Sequence, residues 1–64
     1  MNIGDNIKRI RLGREMSQLR LSELSGVPQT TISNIEKNKV IPSIEKVVRI
    51  AKALNVPLEE LLKV

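Results

Sequence analysis

Sixty-four residues allow one domain, spanning 1–64, close to the lower size at which a chain folds without disulfides or metals. The absence of Cys, His, Phe, Tyr and Trp removes a disulfide framework, the usual zinc sites, the commonest general base and aromatic platforms for stacking single-stranded bases. Eleven Lys and Arg against seven Asp and Glu give a formal charge of +4, which suits a polyanionic partner such as nucleic acid, or simply a soluble basic surface.

The punctuation of the chain predicts five short helices and no strand. Asn2 is a suitable cap for the first, with Asp5 three residues on completing part of a capping box. At 100° per residue, Ile3, Ile7 and Ile10 fall within about 60° of one another and form a narrow core stripe, while Leu12 points away and is expected to be exposed. Ser17 caps a second helix from Gln18 to Ser25 whose core face is Leu21 and Leu24, and Gly26 fits a left-handed stop. Val27 and Pro28 lead into the third helix, 28–37, which Asn38 can end. After the loop "KNKVIPS", Ser43 caps a fourth helix with Ile44, Val47, Val48, Ile50, Ala51 and Leu54 on one apolar face. Asn55 ends it, and "VPLEELLKV" supplies a final turn or two. The expected fold is therefore all-α, a compact five-helix bundle.

The third helix is made of unusual material. Thr30, Thr31, Ser33 and Asn34 are all poor helix formers. With Gln29 set at zero, Ile32 and Ile35 lie near ~300° and ~240°, whereas Gln29, Thr30, Ser33, Asn34 and Lys37 spread over roughly 0–140°. Short donors and acceptors on one outward face match the edges of base pairs in a DNA major groove. A face needed only for solubility would favour Glu and Lys, which make better helices. The preceding helix strengthens the reading, because "QLRLSELSGVPQTTISNIEK" is two short helices around a glycine-containing turn, the plan of a helix-turn-helix.

Four segments, "IGDNIKRIR", "MSQLRLSELSGVPQTTISNIEKNK", "PSIEKVVRIAKALNV" and "LEELL", carry a resemblance over nearly the whole chain. In order and spacing they resemble the phage repressor/Cro-type family of transcription regulators, also called the Xre family. The resemblance implies helices 2 and 3 as a helix-turn-helix that binds double-stranded DNA, usually as a homodimer on an inverted-repeat operator. It implies base contacts from Gln29, Thr30, Ser33 and Asn34, and phosphate contacts from Gln18, Lys37, Asn38 and Lys39. It also implies an ion pair between Arg11 and Glu36, read as structural, with a direct contact of Arg11 to phosphate as the alternative. Helix N-termini attract anions, so a phosphate near Gln18 agrees with the physics.

Two departures from the family pattern stand out. Glu15 occupies a position where relatives often carry Gly, so the first helix is expected to end differently if about 1 kcal/mol of left-handed strain is to be avoided. Asn38 replaces a common Gly, but Asn tolerates that conformation.

The apolar residues Val56, Pro57, Leu61 and Val64 are candidates for a dimer interface, with Leu61 equally suited to closing the core. No metal, cofactor, small-molecule ligand or enzymatic activity is expected. The residues show no long apolar run for a membrane span, and a cytoplasmic location is expected. The competing reading is a protein-interaction module on the same fold, such as an antitoxin or a regulatory subunit. Large apolar anchors on the third helix would favour it.

Overall fold

A computed structural model describes residues 2–63; the dimer candidate Val64 lies outside the described residues. Local signals set most of the helix boundaries: α1 is Ile3–Gly13, α2 Gln18–Ser25, α3 Gln29–Glu36, α4 Ile44–Leu54 and α5 Leu58–Leu61. Asn2 accepts the Asp5 N–H at 3.0 Å, Ser17 that of Arg20 at 3.0 Å and Ser43 that of Lys46 at 3.3 Å. Each side chain thereby satisfies a backbone donor that the helix itself leaves open. The other half of the expected capping box is absent from α1, because the Asp5 carboxylate accepts from Asn38 Nδ2 instead, at 3.4 Å.

The ends of α1, α2, α3 and α4 follow one device. Gly26 ends α2 with φ +74°, and Glu15, Asn38 and Asn55 are left-handed non-glycine residues. After α1, Met16 N–H reaches Arg11 O and Glu15 N–H reaches Leu12 O, both at 3.0 Å. This is a Schellman corner with glutamate at the left-handed position. The expected departure at Glu15 does not occur: the corner keeps its geometry and carries the strain.

The core is aliphatic. Ile7 from α1, Leu21 from α2, Ile32 and Ile35 from α3, Ile50 and Leu54 from α4, and Leu61 from α5 are fully buried, with Val27 in the α2–α3 link. α3 packs on α1 and α2, while α4 braces α2 and α5. The composition of α3 is thus tolerable on energetic grounds. Its four poor helix formers lose about 0.5 kcal/mol each against alanine, roughly 2 kcal/mol together. Burying Ile32 and Ile35 contributes about 3–6 kcal/mol.

Three expectations are corrected. Leu24 is 47% exposed, while Ser25 is buried and its Oγ accepts the Val27 N–H at 3.1 Å. Leu24 and Ser25 flank Leu21 on the wheel, and α2 is rolled toward the serine. Ile44, at the open first turn and the edge of its stripe, is 64% exposed. Leu61 is 0% exposed and closes the core, which removes it from the dimer candidates. Val56 is half-buried against that core, and Pro57 is exposed. Leu12 is exposed, as expected from its position opposite Ile3.

Replacing Glu15 with Gly should relieve the left-handed strain and stabilise the domain by about 1 kcal/mol, raising the thermal midpoint by roughly 4–8 °C. Circular dichroism melts of the two proteins check this; an unchanged or lower midpoint would show that the corner is unstrained.

Candidate nucleic-acid interface

α3 presents two unlike sides. Ile32 and Ile35 are buried, whereas Gln29, Thr30 and Lys37 are exposed and Ser33 and Asn34 half-exposed. No side-chain hydrogen bond among the described residues uses Gln29, Thr30, Ser33 or Asn34. Their donors and acceptors are free for an outside partner. An α-helix with its side chains is about 10–12 Å across, which matches a major groove about 12 Å wide.

Beyond α3, Lys37, Asn38 and Lys39 are all exposed. Asn38 is left-handed at φ +61°, its N–H closing on Ile35 O at 3.0 Å and that of Lys39 on Asn34 O at 2.9 Å. This second Schellman corner turns the chain away from α3 and leaves both lysines on the surface. Neither lysine has an ion-pair partner among the described residues.

The orientation of α3 is held from behind by one buried carboxylate. Arg11 donates from Nε to Glu36 Oε2 at 2.7 Å and from Nη2 to Glu36 Oε1 at 2.9 Å. Its third nitrogen, Nη1, donates to the Met16 carbonyl at 2.7 Å. Gln18 Nε2 adds a bond to Glu36 Oε1 at 3.0 Å. The Arg11 and Glu36 side chains are 8% and 3% exposed, so the fork is shielded from water. One carboxylate thereby ties α1, the start of α2 and the last residue of α3 together.

This geometry changes the reading of Gln18. One N–H of its amide nitrogen donates to Glu36, which leaves the other for a phosphate. The backbone N–H groups at the start of α2 are open to an anion beside that second side-chain donor. Single-sequence reasoning had no signal for this bond, since 18 residues separate the partners. The Asn38–Asp5 contact was missed for the same reason.

Breaking a buried ion pair by removing one partner leaves an uncompensated charge, at a typical cost of about 3–5 kcal/mol. Glu36→Ala should therefore remove most of the stability of so small a domain, read as a collapse of the urea midpoint. A loss below about 1 kcal/mol would mean that the fork is energetically idle.

Comparison with known proteins agrees with this architecture. Residues 7–61 match the family model described as Helix-turn-helix. The chain is 37% identical over 57 residues to the HTH-type transcriptional regulator PuuR of Escherichia coli K12, covering 89% of this chain and 31% of that protein. It is 30% identical over 56 residues to the immunity repressor protein of Bacillus phage phi105, covering 88% of this chain and 39% of the repressor. The chain thus spans about a third of the length of the curated relatives it matches. Among solved structures, the restriction-modification controller protein C.AhdI from Aeromonas hydrophila superposes with a TM-score of 0.91 at 25% identity, over 94% of this chain and 91% of that one. The controller protein C.Esp1396I gives 0.86 at 34% identity, over 95% and 84%. The chain belongs to the Xre-type helix-turn-helix family of DNA-binding transcription regulators, not to an enzyme family.

Proposed function

We propose that this domain is the sequence-reading part of a transcriptional repressor, with α3 lying in the major groove of double-stranded DNA. Gln29, Thr30, Ser33 and Asn34 meet base edges. Lys37, Asn38, Lys39 and the backbone N–H groups opening α2 meet phosphates and set the register. The observation that carries this reading is the unspent polar face of α3. These four lie together on one side of a single helix, and none of them caps a helix or bonds to a neighbouring element. The rival reading as a protein-binding module has less support, since the exposed large apolar side chains are Leu12, Leu19, Leu24, Val40, Ile41 and Ile44, none of them on α3. Protein interfaces centre on large anchors, which this face lacks.

Size argues for two copies on one operator. A single eight-residue helix meets only a few base pairs, and two-fold related half-sites lie roughly 34 Å, one helical turn, apart. A homodimer on an inverted repeat resolves this, and it supplies discrimination that a single eight-residue helix lacks. Among the described residues no helix is long and apolar enough to cross a membrane, and we place the protein in the cytoplasm with its DNA.

Duplexes selected from a random pool provide the test. Gln29→Ala or Asn34→Ala should cost about 1–3 kcal/mol on a selected duplex and relax preference at particular base pairs. Lys39→Ala should weaken selected and random duplexes alike and lower the salt slope by about 1. Fluorescence anisotropy at several salt concentrations separates the two behaviours. If the wild-type protein binds random and selected duplexes equally, specific readout is wrong.

A further inference from the structure

Gly4 stands in the first turn of α1, where glycine is a poor choice: it costs about 0.5–1 kcal/mol relative to alanine inside a helix. Its φ is not positive, so no left-handed turn calls for it. Space does. A Cβ placed on Gly4 would overlap the Ile35 carbonyl oxygen, and would lie 2.8 Å from Asn38 Oδ1 and 3.1 Å from the Ile35 carbonyl carbon. Most of that obstruction is backbone and cannot swing aside.

The obstructing carbonyl has a second task. Ile35 O accepts the Asn38 N–H and so helps to form the corner that ends α3. The first turn of α1 therefore rests on the pivot of the segment carrying Asn38 and Lys39. The neighbouring Asp5 reaches the same segment through Asn38 Nδ2.

Bulk added at residue 4 would have to move one side of this contact. α1 is the firmer side. Ile7 is fully buried, Arg11 is forked to Glu36, and Asn6 Nδ2 donates to Leu61 O at 3.0 Å and to Lys63 O at 2.8 Å. On the other side Ile35 is itself buried, but the chain just beyond it is the softer part, with residues 37–41 all exposed. We infer that Gly4 is a positioning residue for DNA binding: its missing side chain lets α1 seat the α3 corner where Asn38 and Lys39 reach phosphate. The inference rests on the assignment of that corner to the DNA backbone.

Gly4→Ala is the direct variant, with Gly13→Ala as control, since nothing lies within 4 Å of a Cβ at Gly13. In the DNA-free protein, amide resonances of residues 38–40 should shift most in Gly4→Ala while the core resonances hold. On duplexes, at a temperature where melts show the variant folded, binding should weaken roughly 10-fold, the size of one lost charge-assisted contact. The salt slope should fall by about 1, as for Lys39→Ala. The combined Gly4→Ala/Lys39→Ala variant should bind no more weakly than the sum of effects minus one shared contact, because the two changes remove the same interaction. A purely structural role would lower the melting temperature but leave the salt slope unchanged and the two losses additive, which overturns the inference. A Gly4→Ala protein that does not fold also overturns it, by showing that the corner cannot yield. Failure of the wild-type protein to bind any duplex would instead sink the DNA reading on which the inference rests.

Discussion

A single buried carboxylate organises the half of this domain formed by α1, α2 and α3. Glu36 ends α3, and it takes two bonds from Arg11 of α1 and one from Gln18 of α2. Burying two ions costs several kcal/mol that their attraction only partly offsets, so stability alone is a weak reason for such a pair. Geometry is the better reason. A forked guanidinium and a carboxylate meet in few orientations, whereas aliphatic contacts would let α3 slide or roll. The base reading we propose for α3 needs a helix held within a fraction of an ångström, and this fork supplies the directionality that Ile32 and Ile35 cannot.

With α3 held from behind, its outward residues need not favour the helix. The opposing magnitudes allow it, since the burial of two isoleucines outweighs the deficit of four small polar side chains. The same arrangement accounts for the polar face having no internal bonds. Side chains that cap or bridge would have donors spent before any partner arrived, as one Gln18 Nε2 N–H is spent on Glu36.

The features legible in the residues were those set by short-range rules. Asn2, Ser17 and Ser43 cap because a side-chain oxygen reaches an N–H three residues on, and Gly26, Asn38 and Asn55 turn left because they tolerate that conformation. The two faces of α3 followed from periodicity. Features set by a partner helix were not legible. Leu24 and Ser25 are equally plausible neighbours of Leu21 until α3 and α4 decide how α2 rolls. Leu61 could close the core or face a second copy until the other helices are placed around it. Glu15 showed the opposite failure: the local rule argued against a left-handed glutamate, yet the backbone bonds of the corner form with it there. Gly4 gave no sign in its own neighbourhood, since its reason lies 31 residues away at the Ile35 carbonyl.

The central claim is that the unspent face of α3, with the corner that follows it, is the surface that meets DNA. Mapping amide chemical-shift changes on titration with a selected duplex tests this most directly. The largest changes should fall on residues 29–34 and 37–39 and on the opening turn of α2, with the outward face of α4 silent. Changes centred on α4 or α5, with α3 unmoved, would contradict it.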